Sequence, residues 1–181
     1  MNPQPTHNLT AARAADLLQQ GLPVSDSYIG GALKLEGVET WDKEVLLENC
    51  IVENFSGSAS QFTKAVRLVN CHFKSCQFVF TYFLGGLEIT GCSFDNCLDF
   101  QAGGHNKAGQ PVRITYSRFT GFVNFFDCWY ESAVTIAHND FQQGTNLLGK
   151  PHNIPVTFDF KPTIRDNKGR LDFDNEGPDP E

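Results

Sequence analysis

The sequence predicts an all-β fold: a parallel β-helix, or solenoid, with a short capping helix at the N-terminus of its 181 residues. Three observations predict this fold. The segment VRLVNCHFKSC, which begins at Val66, returns 21 positions later as LEITGCSFDNC. Apolar or small residues from Val66 onward are separated by alternating steps of 2 and 3 positions. The 16 phenylalanines, beside 1 methionine, fit an aromatic residue that recurs at a fixed position of a repeat.

The alternating steps indicate short strands joined by corners. A step of 2 keeps two side chains on one face of a strand, and a step of 3 turns a corner before the next pair points inward. A helix face would instead step by 3 and 4. Four such sides make 20 residues, and one extra residue at Gly85-Gly86 closes a coil of 21. The inward residues of this coil are Val66, Leu68, Cys71, Phe73, Cys76, Phe78, Thr81 and Phe83.

Longer copies of the coil follow along the chain. The first inward residues, spaced by 21, 21, 25, 22 and 22 positions, are Val45, Val66, Leu87, Val112, Val134 and Val156. Two positions later stand Leu47, Leu68, Ile89, Ile114, Ile136 and Phe158. Five positions later stand Cys50, Cys71, Cys92, Ser117 and Asn139, and seven positions later stand Val52, Phe73, Phe94, Phe119 and Phe141. We expect each set to stack as a ladder, because a solenoid coil buries its inner face only against its neighbours.

A resemblance to a known family rests on doublets of a small residue and an aromatic residue two positions later. Cys71/Phe73, Cys76/Phe78, Thr81/Phe83 and Cys92/Phe94 resemble pentapeptide-repeat proteins, which are right-handed, four-sided β-helices. The match covers roughly residues 45–148. In its later part the register slips by one, and the inward pairs become Leu98/Phe100, Val123/Phe125 and Cys128/Tyr130. Coils of 21 to 25 residues also resemble the three-sided right-handed β-helix of polysaccharide-processing enzymes, and both cross-sections stay open.

The ends of the chain depart from the repeat. Residues 1–23 predict a helical cap, because Thr10 can cap a helix whose apolar residues follow steps of 3 and 4 before Gly21 and Pro23 end it. The alternative role for this helix is oligomerisation. Residues 24–162 form the predicted solenoid, with a strand at 32–35 in an incomplete first coil. Residues 163–181 predict a C-terminal cap followed by a loosely attached acidic tail.

Charge and hydropathy limit the function classes. The net charge of −7 argues against direct nucleic-acid binding, because phosphate contacts need Lys and Arg. The sequence shows no apolar run of signal-peptide or membrane-span length, so we expect a cytoplasmic protein without membrane contact. An open solenoid end exposes unpaired strands, which makes a homodimer through one end a possible assembly.

The 6 cysteines predict buried free thiols, since all of them fall at inward positions of the assigned register. Cys71–Cys76 and Cys92–Cys97 are spaced more widely than the usual ligands of structural zinc, and each pair spans two sides of a coil. We therefore expect no metal site. No motif indicates a cofactor.

One surface is predicted to bind a partner. The polar, glycine-rich run 101–111 should loop outward from its coil, and the next coil turns Asp127, Trp129 and Glu131 outward beside it. We expect His105 and Lys107 of the loop to face the two acids. An exposed Trp between acids is typical of a contact surface. The alternative is that Trp129 packs under the loop and only covers the solenoid.

The sequence contains no Gly-rich phosphate loop, HExxH or GxSxG motif, which favours a protein without enzymatic activity. We expect a non-catalytic scaffold or protein-binding module whose partner the sequence does not identify. The family resemblance implies a second possibility, a DNA mimic that protects type II topoisomerases, although Arg67 and Lys74 interrupt the outward acids. A carbohydrate-active β-helix is the third alternative.

Overall fold

The computed structural model of the chain describes residues 3–35 and 40–177. These residues form a parallel β-solenoid of about six turns with one short helix near the N-terminus, which confirms the predicted fold class. Within the described ranges, no helix combines the length and the apolar character needed to cross a bilayer.

Helix α1 spans Ala11–Gln19, and a 3-10 turn covers Pro151–Asn153. The strands in chain order are β1 (His7–Thr10), β2 (Val24–Ser25), β3 (Ser27–Lys34), β4 (Thr40–Trp41), β5 (Val45–Glu48), β6 (Ile51–Ser56), β7 (Gln61–Phe62), β8 (Val66–Val69), β9 (His72–Gln77), β10 (Leu87–Thr90), β11 (Ser93–Phe94), β12 (Leu98–Asp99), β13 (Val112–Thr115), β14 (Arg118–Phe119), β15 (Val123–Asn124), β16 (Trp129–Tyr130), β17 (Val134–Ala137), β18 (Asp140–Phe141), β19 (Thr157–Phe158) and β20 (Thr163–Arg165).

The strands stack into four parallel ladders, one for each side of a coil. The first ladder is β2-β5-β8-β10-β13-β17-β20, and the second is β1-β3-β6-β9-β11-β14-β18. The third joins β12 and β15 to the second half of β9. The fourth contains β4-β7 and β16-β19, connected by the bridges Gln61–Tyr82, Tyr82–Gly104 and Gly104–Trp129. Four ladders per coil are what the four-sided alternative predicts.

The predicted spacings along the first ladder are confirmed from β5 to β17. Val66 pairs with Val45 and with Leu87, 21 positions away on either side. Leu87 pairs with Val112 after 25 positions, and Val112 pairs with Val134 after 22. The eight inward residues of the coil from Val66 to Phe83 are all buried. The alternating steps of 2 and 3 therefore identified the core side chains correctly.

Two columns of stacked phenylalanine rings fill the core. Phe73, Phe94, Phe119 and Phe141 form the first column, with ring centroids 4.9 to 5.0 Å apart. Phe78, Phe100 and Phe125 form the second, with centroids 5.5 and 5.1 Å apart. The second column confirms the one-residue register slip, because Phe100 lies 22 positions after Phe78 rather than 21. In-register parallel strands place equivalent rings one strand spacing apart, which matches these distances.

The corner between the first and second ladders is left-handed in every described coil. The φ angles at this position lie between 49° and 65° for Asp26, Asn49, Asn70, Gly91, Tyr116, His138 and Asp166. Asn, Asp and Gly adopt this conformation at low cost, which explains their frequency at the corner. His138 therefore lies at the turn and half-buried, against Tyr116 at a ring distance of 4.8 Å.

The N-terminal end is capped as predicted, with one unpredicted strand. The Thr10 hydroxyl accepts a hydrogen bond from the Arg13 amide at 3.2 Å and caps α1. Ala14 and Leu18 on α1 are fully buried against the first coil. Before the helix, β1 pairs in parallel with β3 and extends the second ladder. The polar residues of β1 gave no alternating apolar pattern, so the sequence analysis missed this strand.

The predicted register of the last coil is wrong. Val156 was expected to start this coil, but β19 pairs with β16 in the fourth ladder, and Phe158 stacks on Tyr130. The first ladder continues instead at β20, where Thr163 pairs with Thr135, 28 positions earlier. The extra residues are accommodated around the 3-10 turn at Pro151–Asn153. An apolar pair two residues apart fits any inward side of a coil, so the pattern alone could not select the ladder.

Two further expectations need correction. Cys97 is exposed rather than inward, because Leu98 pairs with Cys76 and pushes Cys97 into the preceding corner. The acidic tail is attached through residue 177: the Phe173 ring packs on Phe122 at 5.7 Å, and the Lys150 amide donates to the Asp174 carboxylate at 2.8 Å. The last part of the predicted tail, 178–181, and part of the incomplete first coil, 36–39, lie outside the described residues.

Candidate functional site

The predicted loop 101–111 is only partly a loop. Gly103 and Gly104 are buried, and Gly104 bridges Tyr82 and Trp129 in the fourth ladder. A Cβ atom on Gly104 would overlap the carbonyl oxygen of Trp129, and the φ of Gly104 is 105°. Glycine is thus required here for close backbone approach within the ladder, whereas the sequence analysis interpreted it as a loop signal.

The chain leaves the coil only at residues 106–110. Asn106 is fully buried, and its Nδ2 group donates to the Gln110 carbonyl oxygen at 2.8 Å. The Gln110 amide donates to the Lys107 carbonyl oxygen at 2.9 Å and closes the turn. This small turn holds Lys107 at the edge of the fourth ladder and leaves its ammonium group exposed.

Trp129 points outward from β16, as predicted, and its side chain is 44% exposed. Its indole Nε1–H donates to the Asp159 carboxylate at 2.8 Å. The His105 ring meets the indole edge to face, at a centroid distance of 5.4 Å, and contacts Tyr82 on its other side at 4.2 Å. The indole is therefore oriented by two neighbouring coils while almost half of it remains open to solvent.

Glu131 is the acid that Lys107 and His105 of the loop face. Its carboxylate accepts from Lys107 Nζ at 2.9 and 3.2 Å and lies 3.3 Å from His105 Nδ1. The hydrogen bond from Lys107 is the main reason that the pKa of Glu131 is lowered, and His105 adds to the effect. This network connects the 106–110 turn to the following coil through one of the two acids that the sequence analysis named.

Asp127 does not take part in this network. It occupies an exposed corner with φ 56°, and across ranges 3–35 and 40–177 no hydrogen bond or ion pair joins it to His105 or Lys107. The structure thus brings together four of the five predicted residues. Asp127 lies two positions before Trp129 along the same coil.

Asp159 is a member of the site that the sequence analysis missed. The error in the last coil assigned it to the wrong ladder, whereas it follows β19 in the position that Glu131 occupies after β16. A signal was present in the sequence: Thr157-Phe158-Asp159 repeats Trp129-Tyr130-Glu131, with an inward aromatic followed by an outward acid. We call the following residues the Trp129 patch: Tyr82, His105, Lys107, Asp127, Trp129, Glu131 and Asp159.

Outside the Trp129 patch, two basic side chains are paired with acids of neighbouring coils. Arg67 lies 3.3 Å from Glu44 and 3.1 Å from Glu88, and Lys74 lies 3.2 Å from Glu53. In the part of the chain that the structure describes, no three His, Cys, Asp or Glu side chains are grouped closely enough to hold a metal ion.

Comparisons with protein-family models, curated proteins and solved structures find no match for this chain. The ladders and the Trp129 patch therefore rest on the residues of this chain alone.

Proposed function

We propose that this protein is a non-catalytic β-solenoid that binds a protein partner through the Trp129 patch. The observation that carries the proposal is an indole that is 44% exposed and yet held in one orientation by Asp159 and His105. Binding costs less conformational entropy when the anchoring side chain is ordered beforehand. Tryptophan is also among the residues that contribute most to the energy of protein interfaces.

The scaffold under the patch supports this role. Trp129 pairs through its backbone with Gly104 on one side and Thr157 on the other, so its position is set by strands of two adjacent coils. The 106–110 turn is fixed to the same surface by Asn106 and by the ion pair between Lys107 and Glu131. Binding residues in proteins concentrate on short segments that a rigid scaffold positions.

The charges of the patch favour a cationic group on the partner. Lys107 and His105 both lie against Glu131. Asp159 holds the indole N–H, and Asp127 lies exposed two positions before Trp129; within the described residues neither acid forms an ion pair with a cation. An arginine of the partner can stack on the indole and reach these carboxylates, which joins a cation–π contact to charge pairing. The net charge of −7 also attracts a basic partner to this protein.

We also propose that the chain belongs to the right-handed, four-sided solenoids of the pentapeptide-repeat type, and that it works in the cytoplasm. The support is the set of four ladders per coil and the buried doublets such as Cys71/Phe73 and Cys76/Phe78. An experimental structure with three ladders per coil, or with left-handed coiling, would contradict the family assignment. Secretion of the native protein from its host would contradict the location.

No specific observation supports either of the two alternative functions. A DNA mimic needs an uninterrupted acidic surface, but Arg67 lies between Glu44 and Glu88 on the first ladder. The carbohydrate-active alternative needs a groove in which acids are placed for acid–base work, and Glu131 of the patch is instead engaged by Lys107. Both alternatives remain as outcomes of the experiment below.

The experiment compares three forms of the protein as affinity baits in lysate of the native host: wild type, Trp129→Ala and Tyr116→Ala. Tyr116 is the matched control, because it is an aromatic residue that is 67% exposed at the corner between the first and second ladders. We expect Tyr116→Ala to retain the partner, and Trp129→Ala to weaken binding at least about fivefold, or about 1 kcal/mol. The measurement is mass spectrometry of the captured proteins, followed by titration with the purified partner.

Thermal unfolding of the same variants distinguishes the two roles of Trp129. If the residue serves binding, Trp129→Ala changes the melting temperature little. A lower melting temperature with unchanged binding would show that Trp129 only covers the solenoid and would remove the patch. Replacing Asp127 and Asp159 by Asn should also weaken binding, whereas Asp16→Asn on α1 should not. Capture of a topoisomerase through another surface would favour the DNA mimic.

A further inference from the structure

Three polar side chains meet on the outward face of the second ladder. The Ser93 hydroxyl lies 2.8 Å from Nδ1 of His72, and Nε2 of the same ring lies 3.0 Å from the Asp95 carboxylate. The His72 side chain is 23% exposed, and Ser93 is half-buried. We call these three residues the Ser93 cluster. A hydroxyl, an imidazole and a carboxylate in this order form the arrangement that turns a serine into a nucleophile.

Strand pairing holds the Ser93 cluster together. Ser93 of β11 pairs in register with His72 of β9, so the two side chains stand side by side in neighbouring coils. Asp95 follows Ser93 by two positions and therefore points to the same face. The Asp95 amide donates to the Phe73 carbonyl oxygen at 3.0 Å, which places the carboxylate diagonally across from His72. In other coils the row that contains Ser93 continues with Ile51, Arg118 and Asp140.

The Asp95 carboxylate determines which ring nitrogen of His72 carries the proton. An ionised carboxylate only accepts hydrogen bonds, so Nε2 is the protonated nitrogen of the neutral ring. Nδ1 then keeps its lone pair, and the Ser93 hydroxyl is the donor across the contact of 2.8 Å. This is the tautomer in which the imidazole can take the proton of the serine.

The other neighbours of His72 leave this orientation undisturbed. Lys74 follows His72 by two positions on the same face, but its ammonium group lies 3.2 Å from Glu53. On the preceding coil, Ile51 pairs in register with His72 and is apolar. Among the described residues, Asp95 is therefore the charged group that the imidazole contacts.

The backbone around Ser93 offers no donor for an oxyanion. The amides of Ser93 and Asp95 donate to the carbonyl oxygens of Cys71 and Phe73, so both are used in the ladder. Arg118, the register partner of Ser93, directs its guanidinium to a glutamine of the next coil. Without an oxyanion donor, a serine reacts only with acyl groups that carry a good leaving group. The serine ester that forms is then long-lived, because the serine alkoxide is a poor leaving group.

We propose that Ser93 is a covalent modification site that accepts an acyl group from an activated acyl donor, such as an acyl phosphate or a thioester. The bond from Ser93 Oγ to the acyl carbon forms while the hydroxyl proton moves to Nδ1 of His72. The bond between the acyl carbon and the leaving group breaks, and the leaving group departs with its electron pair. His72 then returns the proton to the leaving group or to water. Asp95 is a positioning residue, which orients the ring and stabilises the imidazolium ion.

The probe that tests the proposal is p-nitrophenyl acetate, added to the full chain in a Cys97→Ala background that removes the exposed thiol. Peptide mapping by mass spectrometry measures the rate at which each serine gains an acetyl group. We expect Ser93 to react at least about tenfold faster than Ser75, which is half-buried on the same strand as His72. The rate at Ser93 should rise between about pH 5 and about pH 8, the range in which an imidazole loses its proton.

Variants separate the roles within the Ser93 cluster. Ser93→Ala should abolish the label, and His72→Gln should slow labelling of Ser93 at least about tenfold. Asp95→Asn should slow it by a similar factor, because an asparagine amide can donate to Nε2 and move the ring proton to Nδ1. Asp95→Glu should restore part of the rate. Asp140→Asn is the matched control from the same outward row in a later coil, and it should leave the rate unchanged.

Three results would overturn the proposal. The first is labelling of Ser93 no faster than that of Ser75, and the second is a rate at Ser93 that neither pH nor His72→Gln changes. The third is release of nitrophenolate that continues well beyond one equivalent per chain and that Ser93→Ala abolishes, because this would show an esterase rather than a modification site. Melting temperatures check that each variant is folded, and the pH profile of the parent protein requires no change in the cluster.

Discussion

Phe94 lies between Phe73 and Phe119, with both ring centroids 5.0 Å away and interplanar angles of 8° and 10°. Its side chain is 1% exposed. The three rings belong to three successive coils, so Phe94 connects the packing of one coil to the next on both of its faces. The aromatic column runs through the second ladder from Phe73 to Phe141.

We expect Phe94→Ala to reduce the free energy of unfolding by about 3–5 kcal/mol, because it removes a buried ring and leaves a cavity between two others. Urea denaturation monitored by circular dichroism measures this loss. Tyr116→Ala is the control, since Tyr116 is 67% exposed and should change stability by less than about 0.5 kcal/mol. A urea midpoint for Phe94→Ala equal to that of wild type would be incompatible with the column.

The cysteines should react in two classes. Five of the six are buried, and Cys97 is exposed. Burial raises the pKa of Cys128 to about 12 and also raises the pKa of Cys76, so these thiols carry little thiolate at neutral pH. In native protein at pH 7, we expect one thiol to react rapidly with a thiol reagent and five to react slowly.

Denatured protein should show all six thiols, and Cys97→Ser should abolish the rapid phase in the native protein. Two or more rapid thiols in wild type would contradict the burial of the others. A disulfide in protein purified without oxidant would also speak against the proposed cytoplasmic location.

Glu53 should make stability depend on pH in the acid range. Tyr28 Oη donates to its carboxylate at 2.6 Å, the Gly31 amide at 2.7 Å and Lys74 Nζ at 3.2 Å. The hydrogen bond from Tyr28 contributes most to lowering the pKa of Glu53 from 4.5 to about 2. The folded state therefore favours the charged carboxylate, and the resulting stability is present above pH 4.5 and is lost as the pH falls through about 2.

Glu53→Gln should accordingly be less stable than wild type at pH 7, and the difference should shrink between pH 4.5 and pH 2. Urea midpoints measured across this pH range for both proteins check the expectation. Glu48→Gln is the matched control from the preceding strand, β5. A difference between wild type and Glu53→Gln that stays constant down to pH 2 would show that the carboxylate is not stabilised in its charged form.

Gly104→Ala should cost more stability than Gly109→Ala. Both glycines have positive φ angles, 105° and 77°, so alanine is strained at either position. Only at Gly104 would the added Cβ also overlap the Trp129 backbone, whereas nothing lies within 4 Å of a Cβ at Gly109. We expect an additional cost of about 1–3 kcal/mol at Gly104, with altered fluorescence of Trp129. Equal melting temperatures for the two variants would contradict the close approach in the fourth ladder.

The sequence by itself was sufficient for the solenoid and for most of its core. An inward pair at a step of 2 and a corner at a step of 3 are geometric properties of short strands, and they are visible without any distant contact. For this reason the stacking of Phe73, Phe94, Phe119 and Phe141 was predicted correctly. The helix cap at Thr10 was equally local, because it depends on a side chain and an amide three residues apart.

Tertiary structure decided those features for which one local sequence pattern fits several sides of a coil. The apolar pair Val156 and Phe158 suits any side of a coil, and only strand pairing assigns Phe158 to the fourth ladder beside Tyr130. Cys97 lies at the surface because one extra residue in its corner turns Leu98 inward in its place.

The Trp129 patch shows the same division. The outward alternation of Asp127, Trp129 and Glu131 is a property of the chain, so the sequence predicted it. The stacking of neighbouring coils decides which acid pairs with Lys107 and which carboxylate accepts the indole N–H. These partners lie 24 and 30 residues apart in the sequence. The sequence therefore determined which side chains face outward, and the register between coils, fixed by backbone pairing and close glycine contacts, decided which of them meet.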